Sequence, residues 1–169
     1  ADYDRCNSVF VMKFHFHGKS AHGAYPWEGR SALDAGMLFG MSLEMLREHV
    51  KPNGPDAAST INYTFQDCGP SFANVVPDVT TVQLYGRFAD LETSQDAFER
   101  IQSCAKGAAL ATGTTTDYEL ITYTHPKIPN KTLAEVVHRN MEHYGAPSFT
   151  QEEQAFVKEM QAYMGVEPT

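Results

Sequence analysis

An alternating run of apolar and polar residues near the start of the chain is the feature that most constrains its fold. Four large apolar side chains occur at every second position of residues 9–17; they are Phe10, Met12, Phe14 and Phe16, and the opposite face carries Lys13, His15 and His17. Because successive side chains of a strand point to opposite faces, this spacing predicts a strand with one buried face. Such a face requires a covering layer of secondary structure.

A short loop after this strand presents a single histidine. The strand runs into Gly18, and a Pro-Trp-Glu-Gly turn at residues 26–29 leads into a helix rich in small residues. His22 therefore lies on an exposed loop that is anchored at both ends, and functional side chains are common on such loops. His22 is the first candidate for a functional residue.

The remaining periodicity predicts two helices and three further strands. The helices are predicted at residues 30–50 and 93–112, and the strands at 60–65, 79–88 and 115–123. Apolar residues recur every four positions in the first helix, and we expect them to face the sheet; they are Leu33, Met37, Met41 and Met45, with Leu38 and Leu46 beside them. The second helix is predicted to begin at a capping box of Thr93 and Asp96 and to end at Gly113.

The resulting order, β-α-β-β-α-β, is typical of the ferredoxin-like α+β fold. We therefore predict a four-stranded antiparallel sheet with both helices on one face, plus C-terminal helices after residue 130. A breaker cluster at residues 51–55 ends the first helix. We expect residues 1–8 to be a linker remnant, residues 9–124 to form one domain, and residues 125–169 to be the truncated start of a further segment.

Composition excludes some classes of function. The formal net charge is −8, from 13 basic and 21 acidic residues, and no basic stripe is present, so a nucleic-acid partner is not expected. No apolar run approaches the roughly 18 residues that cross a membrane. Three cysteines without a CxxC motif favour reduced thiols and a cytoplasmic protein.

Three short motifs occur in order along the chain. They are GKSAHGAYPWEGRSALDA at residues 18–35, NVVPD at residues 74–78 with an arginine at position 87, and PN-x-x-L at residues 129–133. Together they resemble the lid, or dimerisation, domain of the two-metal amidohydrolase and exopeptidase family, which includes aminoacylases and glutamate carboxypeptidase. The similarity covers residues 9 to about 161 and is greatest to the aminobenzoyl-glutamate hydrolase branch.

This resemblance implies that the chain is part of a larger enzyme that cleaves the amide of N-acyl or N-aroyl amino acids. It implies that His22 donates a hydrogen bond to the oxyanion in the active site of the partner subunit, and that Asn74 and Arg87 contact the substrate carboxylate. It also implies a homodimer formed through the lid, and two divalent ions, zinc or manganese, held by other segments of the enzyme. The sequence has none of that family's metal-ligand motifs, so we expect this chain alone to bind no such ions and hydrolyse nothing.

Other notable residues have plainer interpretations. His15 and His17 could share a metal ion, but no third ligand is evident, so we expect an exposed strand face. Tyr25 and Trp27 could line a substrate pocket, but we expect them to pack the loop against the helix. A small-residue stripe should permit close packing against the sheet or a partner helix; it consists of Ala32, Gly36 and Gly40.

A non-catalytic ferredoxin-like module for binding or assembly is the alternative function. The lid hypothesis requires His22, Asn74 and Arg87 to lie on surfaces that can meet a catalytic domain. The module hypothesis requires nothing of these three residues.

Overall fold

A computed structural model describes residues 6–52 and 59–167. Parts of two sequence predictions, the linker at 1–8 and the breaker cluster at 51–55, lie outside the described residues. The elements in chain order are β1 (Ser8–His17), α1 (Ala32–Arg47), β2 (Thr60–Asp67), β3 (Val79–Phe88), α2 (Leu91–Thr112), β4 (Thr115–Thr124), α3 (Lys131–Tyr144) and α4 (Gln151–Tyr163). They belong to two compact units, of which the first ends at Ile128 and the second begins at Pro129.

The first unit is built on a four-stranded antiparallel sheet with strand order β2-β3-β1-β4. Both helices cover the same face of this sheet. Phe39 of α1 packs on Phe14 of β1 with ring centroids 4.8 Å apart, and Phe98 of α2 packs on Phe10 of β1 at 5.4 Å. Since Phe10 and Phe14 share one face of the strand, the predicted ferredoxin-like α+β arrangement is confirmed.

The apolar face of β1 forms the centre of the core, as its alternation predicted. Its four large side chains are at most 1% exposed, and inward-facing residues of the adjacent strands complete the layer; these are Ile61, Val82, Leu84 and Phe88. Full burial of a large apolar side chain contributes about 1.5–3 kcal/mol to the free energy of unfolding. This face is therefore a principal source of the unit's stability.

The buried face of α1 differs from the predicted one. The three methionines of the expected stripe are 55%, 57% and 66% exposed, in the order Met37, Met41 and Met45. The face that is buried instead mixes small and large residues: Ala32, Ala35, Gly36, Phe39, Gly40, Leu43 and Leu46. The small residues bring the helix backbone close to the sheet, because a Cβ on Gly36 would lie 2.8 Å from Thr80 Cγ2 and 2.9 Å from Phe65 Cε1. The small-residue stripe thus packs on the chain's own sheet and is not available to a partner helix.

Helix α2 begins one turn earlier than the capping box predicted. Asp90 is the N-cap residue, and its carboxylate accepts hydrogen bonds from the backbone N–H of Thr93 at 2.7 Å and from the Thr93 hydroxyl at 3.0 Å. Asp96 instead forms an ion pair with Arg100 one turn further along. The predicted end is confirmed, since Gly113 adopts the left-handed conformation with φ of 67°.

The two outer strands of the sheet differ in regularity. In the described part of the chain, β2 pairs with β3 alone and β4 with β1 alone. Strand β4 contains an extra residue, Ile121, between the residues that pair with Val11 and Met12. The pairing of β2 is regular over its first six residues and shifts only near Asp67.

The second unit contains α3 and α4. Asn130 caps α3 by accepting a hydrogen bond from the backbone N–H of Leu133 at 2.9 Å. The predicted capping box of Thr150 and Glu153 is present at the start of α4. The predicted apolar stripe of α3 is exposed on every member: Leu133, Val136, Val137, Met141 and Tyr144.

Membrane-spanning helices and cysteine pairing were considered over the described residues as a set. No helix among residues 6–52 and 59–167 is both long enough and apolar enough to cross a lipid bilayer. Cys6, Cys68 and Cys104 are free thiols, and burial raises the pKa of the Cys104 thiol.

Candidate functional site

The loop after β1 and the loop before β3 run side by side and bring His22 next to Asn74. A β-bridge joins His22 to Val75, and the backbone N–H of Gly23 donates to the carbonyl of Asn74 at 2.8 Å. The side chains meet where Asn74 Nδ2 lies 3.2 Å from His22 Nε2. Two of the three predicted site residues therefore form one exposed pair, although 52 positions separate them in the sequence.

A backbone hydrogen bond fixes which nitrogen of the His22 ring carries the proton. The N–H of Ala24 donates to His22 Nδ1 at 3.1 Å. A backbone N–H is only a donor, so Nδ1 must present its lone pair, and the neutral ring then carries its hydrogen on Nε2. Nε2 is therefore a hydrogen-bond donor, and the carboxamide oxygen of Asn74 is the matching acceptor when that amide is turned towards the ring.

Gly23 permits the close approach of the two loops. A Cβ at this position would collide with the Oδ1 atom of Asn74 and would lie 3.0 Å from the Cα and 3.1 Å from the carbonyl carbon of the same residue. Any larger residue must push Asn74 away from His22. The sequence motif contains this glycine, but only the structure shows that it faces Asn74.

Arg87 lies at the other end of the sheet. It occupies the penultimate position of β3, is exposed on the face away from the helices, and places its guanidinium carbon 4.7 Å from the centre of the Tyr85 ring. Asn74 precedes the opposite end of this strand, which begins at Val79. The strand between Val79 and Arg87 spans about 26 Å, at about 3.3 Å per residue. A small substrate cannot contact Arg87 and the His22–Asn74 pair of the same chain.

Two aromatic rings stand beside His22. The Tyr25 ring centroid is 6.2 Å from the His22 centroid and 5.6 Å from the Trp27 centroid, and the latter two rings meet edge to face. Tyr25 is 54% exposed and Trp27 is 69% exposed. The expectation that these rings pack the loop against the helix is therefore wrong, because the buried face of α1 is filled by its own side chains and the sheet.

The histidines of β1 face the open side of the sheet. His15 Nδ1 lies 3.0 Å from the hydroxyl of Thr81, and His17 Nε2 lies 2.7 Å from a carboxylate oxygen of Asp117. Within residues 6–52 and 59–167, no group of three or more His, Cys, Asp or Glu side chains has an arrangement that could hold a metal ion. These residues do not fit the two divalent ions that the resemblance implies.

The site can therefore position a neutral donor and a carboxamide on an exposed surface. Nε2–H of His22 and the amide of Asn74 are suited to contact a carbonyl or carboxylate oxygen of a ligand. A general base and a nucleophile are not part of this pair. The pair is one half of a site whose other half faces it.

Known proteins match this chain at the level of family and fold. Residues 8–112 match the family model described as peptidase dimerisation domain, M20_dimer. The chain is 32% identical over 148 residues to a p-aminobenzoyl-glutamate hydrolase polypeptide of Escherichia coli K12, an alignment that covers 87% of this chain and 30% of that protein. It is 34% identical over 127 residues to Xaa-Arg dipeptidase of Mus musculus, covering 74% of this chain and 28% of that protein.

Solved structures agree on the fold. The aminobenzoyl-glutamate utilization protein from Klebsiella pneumoniae superposes with a TM-score of 0.67 at 21% identity, over 81% of this chain and 34% of that one. Aminopeptidase PepT from Bacillus cereus superposes with a TM-score of 0.60 at 20% identity, over 87% and 38%. The chain spans less than a third of the length of the two curated relatives described above. Since the family model matches well over half of its residues, the chain belongs to the peptidase dimerisation domain family.

Proposed function

We propose that the chain is the lid and dimerisation part of a larger, metal-dependent amidohydrolase that cleaves N-acyl or N-aroyl amino acids. The observation that carries this proposal is the His22–Asn74 pair, in which the fold fixes a donor nitrogen on an exposed surface. The name of the Escherichia coli relative supports an aroyl amino acid as the substrate class. A cytoplasmic location belongs to the same proposal.

His22 acts in this proposal through its Nε2–H group. When water adds to the scissile carbonyl, negative charge develops on the carbonyl oxygen, and a donor already aimed at that oxygen stabilises the transition state more than the ground state. The Ala24 N–H keeps Nδ1 in its acceptor form, so the ring needs no rearrangement before it donates. His22 takes no proton from the water and holds no metal.

The remaining chemistry is assigned to the rest of the enzyme. Two divalent ions of zinc or manganese type would polarise the carbonyl and lower the pKa of a water molecule. The described residues offer no cluster for such ions, so their ligands and the general base must come from other segments. The chain by itself is therefore proposed to be inactive.

A homodimer would form through the outer side of α1 and the free edge of β2. Met37 and Met41 are more than half exposed, whereas Met45 lines a cleft with Arg100 of α2. The neighbouring helix position, Gly40, contacts Tyr63 of β2, which places the first two methionines towards that strand. Exposed methionines beside an unpaired strand edge form a surface suited to a second copy of the same surface.

This dimer explains how Arg87 could share a site with His22. If two β2 strands pair antiparallel about a twofold axis, the Arg87 end of one sheet lies beside the His22–Asn74 end of the other. The two β3 strands are then separated by three strand spacings, about 14 Å. That gap is suited to one amino-acid derivative. Arg87 of one lid would bind the substrate carboxylate, and His22 and Asn74 of the other lid would contact the same substrate.

Subunit mixing tests the division of the site. In the enzyme that carries this chain, His22→Ala should lower kcat by about a hundredfold to a thousandfold, as expected for one oxyanion donor. Arg87→Ala should mainly raise KM, because a carboxylate clamp binds ground and transition states alike. When the two variants exchange subunits, a mixed dimer holds one intact site, so about a quarter of wild-type activity should return under substrate concentrations at which both parents are inactive.

The matched control for the first variant is His49→Ala, which removes another exposed histidine and should leave kcat unchanged. If mixed dimers form but stay inactive, His22 and Arg87 do not serve one site from opposite subunits. If His22→Ala retains full kcat, the catalytic proposal fails and the non-catalytic module is favoured.

The dimer surface has its own test. Met41→Glu introduces a charge at the proposed contact and should weaken dimerisation by about a hundredfold or more, since the charge would have to be desolvated. Leu110→Glu on α2 is the control, because Leu110 is 84% exposed and lies outside the proposed surface. Analytical ultracentrifugation over a range of protein concentrations measures both. A monomeric wild-type chain at high concentration would count against the dimer.

A further inference from the structure

The pair of exposed aromatic rings beside His22 is not explained by the fold of the first unit. Trp27 is the only tryptophan of the chain, and it is 69% exposed. Its edge-to-face partner Tyr25 is also more than half exposed, at 54%. Large aromatic rings are usually buried or placed where a ligand or partner covers them.

The backbone beneath the rings is rigid. The turn at Pro26–Glu28 is closed by hydrogen bonds from Tyr25 N–H to the His22 carbonyl at 2.8 Å and from Gly29 N–H to the Pro26 carbonyl at 3.1 Å. The Arg30 guanidinium donates to the Trp27 carbonyl at 3.3 Å. A surface held in this way loses little conformational freedom when it binds a ligand.

The position of the rings relative to His22 indicates what they contact. Asn74 lies at the Nε2 side of the His22 ring, and the segment of Ala24 and Tyr25 lies at its Nδ1 side. An amide substrate has two substituents at the reacting carbon: the nitrogen that carries the amino acid, and the acyl group. If Asn74 contacts the amino-acid side, the acyl group extends towards Tyr25 and Trp27.

We infer that Tyr25 and Trp27 form a stacking surface that selects substrates with a planar aromatic acyl group. This inference rests on the proposed function and adds a specificity-determining surface to it. Aromatic rings prefer stacked or edge-to-face contact with another ring, which a saturated ring of similar size cannot supply. The surface thus distinguishes planar rings from bulk alone.

Two substrates that differ only in ring planarity test the inference. They are N-benzoyl-glutamate and N-cyclohexanecarbonyl-glutamate, assayed with the enzyme that carries this chain. Trp27→Ala should lower the ratio of their kcat/KM values by about tenfold or more, the scale of one apolar contact in a binding site. Trp27→Phe should restore most of the ratio, and Leu110→Ala, which removes an exposed apolar side chain of α2, should not change it.

The result that overturns the inference is an equal loss for both substrates, since Trp27 would then support the structure or contact the catalytic domain. An unchanged ratio in Trp27→Ala overturns it as well.

A binding measurement separates this inference from the proposed function. The emission of the single tryptophan reports on ring contact when the chain is titrated with the two compounds. Quenching by the benzoyl compound alone supports the surface even if the wild-type enzyme cleaves neither compound, an outcome that would refute only the proposed function. If neither compound is cleaved and neither quenches Trp27, both proposals fail.

Discussion

Two glycine-to-alanine substitutions in the helices should change stability in opposite directions. Gly107 lies on the exposed side of α2, and a Cβ built there meets no atom within 4 Å. Alanine is favoured over glycine in a helix interior by about 0.8–1 kcal/mol. Gly107→Ala should therefore raise the free energy of unfolding by nearly that amount.

Gly36→Ala has the same intrinsic gain but must find room under the helix. Its Cβ would lie 2.8 Å from Thr80 Cγ2 and 2.9 Å from Phe65 Cε1, well inside the favourable carbon–carbon distance of about 3.5–4.0 Å. Overpacking of this kind costs about 1–3 kcal/mol. After the helical gain, Gly36→Ala should destabilise the unit by up to about 2 kcal/mol, which puts it about 1–3 kcal/mol below Gly107→Ala.

Urea denaturation followed by circular dichroism measures the difference. With a slope of about 2 kcal/mol per molar urea, a gap of 2 kcal/mol separates the two midpoints by about 1 M. An unchanged slope in both variants shows that the denatured states are comparable. Equal stabilisation by both substitutions would refute the conclusion that α1 presses its small residues onto the sheet.

Contacts already described support three other predictions. Gly23→Ala should displace Asn74 and lower kcat of the enzyme while leaving the unfolding midpoint nearly unchanged, as measured by paired kinetic and thermal assays. Asp90→Ala should cost about 1 kcal/mol at neutral pH; because hydrogen bonds from Thr93 hold the pKa of the Asp90 carboxyl below its ordinary value, this cost should be present above about pH 4 and should fade as the pH drops through the folded-state pKa, which stability curves at several pH values would show. Phe14→Ala, at a side chain only 1% exposed, should cost about 3–5 kcal/mol in urea denaturation.

The sheet was predictable because its signal is local. Four large side chains with a period of two define the buried face of β1 without knowledge of any neighbour, and the same reasoning located β3 and β4. The face of α1 was not predictable in this way. Its methionines carry the strongest apolar repeat, but contact with the sheet depends on how closely the backbone can approach, and there glycine and alanine decide the outcome.

The candidate site was predictable only in part for the same reason. The anchored loop pointed to His22, but the hydrogen bond that sets its tautomer and the glycine that admits Asn74 depend on two loops that meet across the fold. The distance to Arg87 follows from the length of β3, which the sequence did predict. The exposure of Trp27 did not follow, because no local pattern tells whether a ring beside a proline is covered.

The unequal edges of the sheet bear on how large an assembly this chain can build. A sheet with two flat, unpaired edges can add copies without limit and grow into a fibre, whereas a sheet with one such edge stops at a pair. Strand β4 is interrupted by its extra residue Ile121 and carries Asp117 and Glu119, features that discourage another strand from joining. Strand β2 is regular over its first six residues and has its only charged side chain at Asp67, its last residue. The bulge in β4 therefore acts as a chain terminator, and growth through strand pairing ends at two subunits.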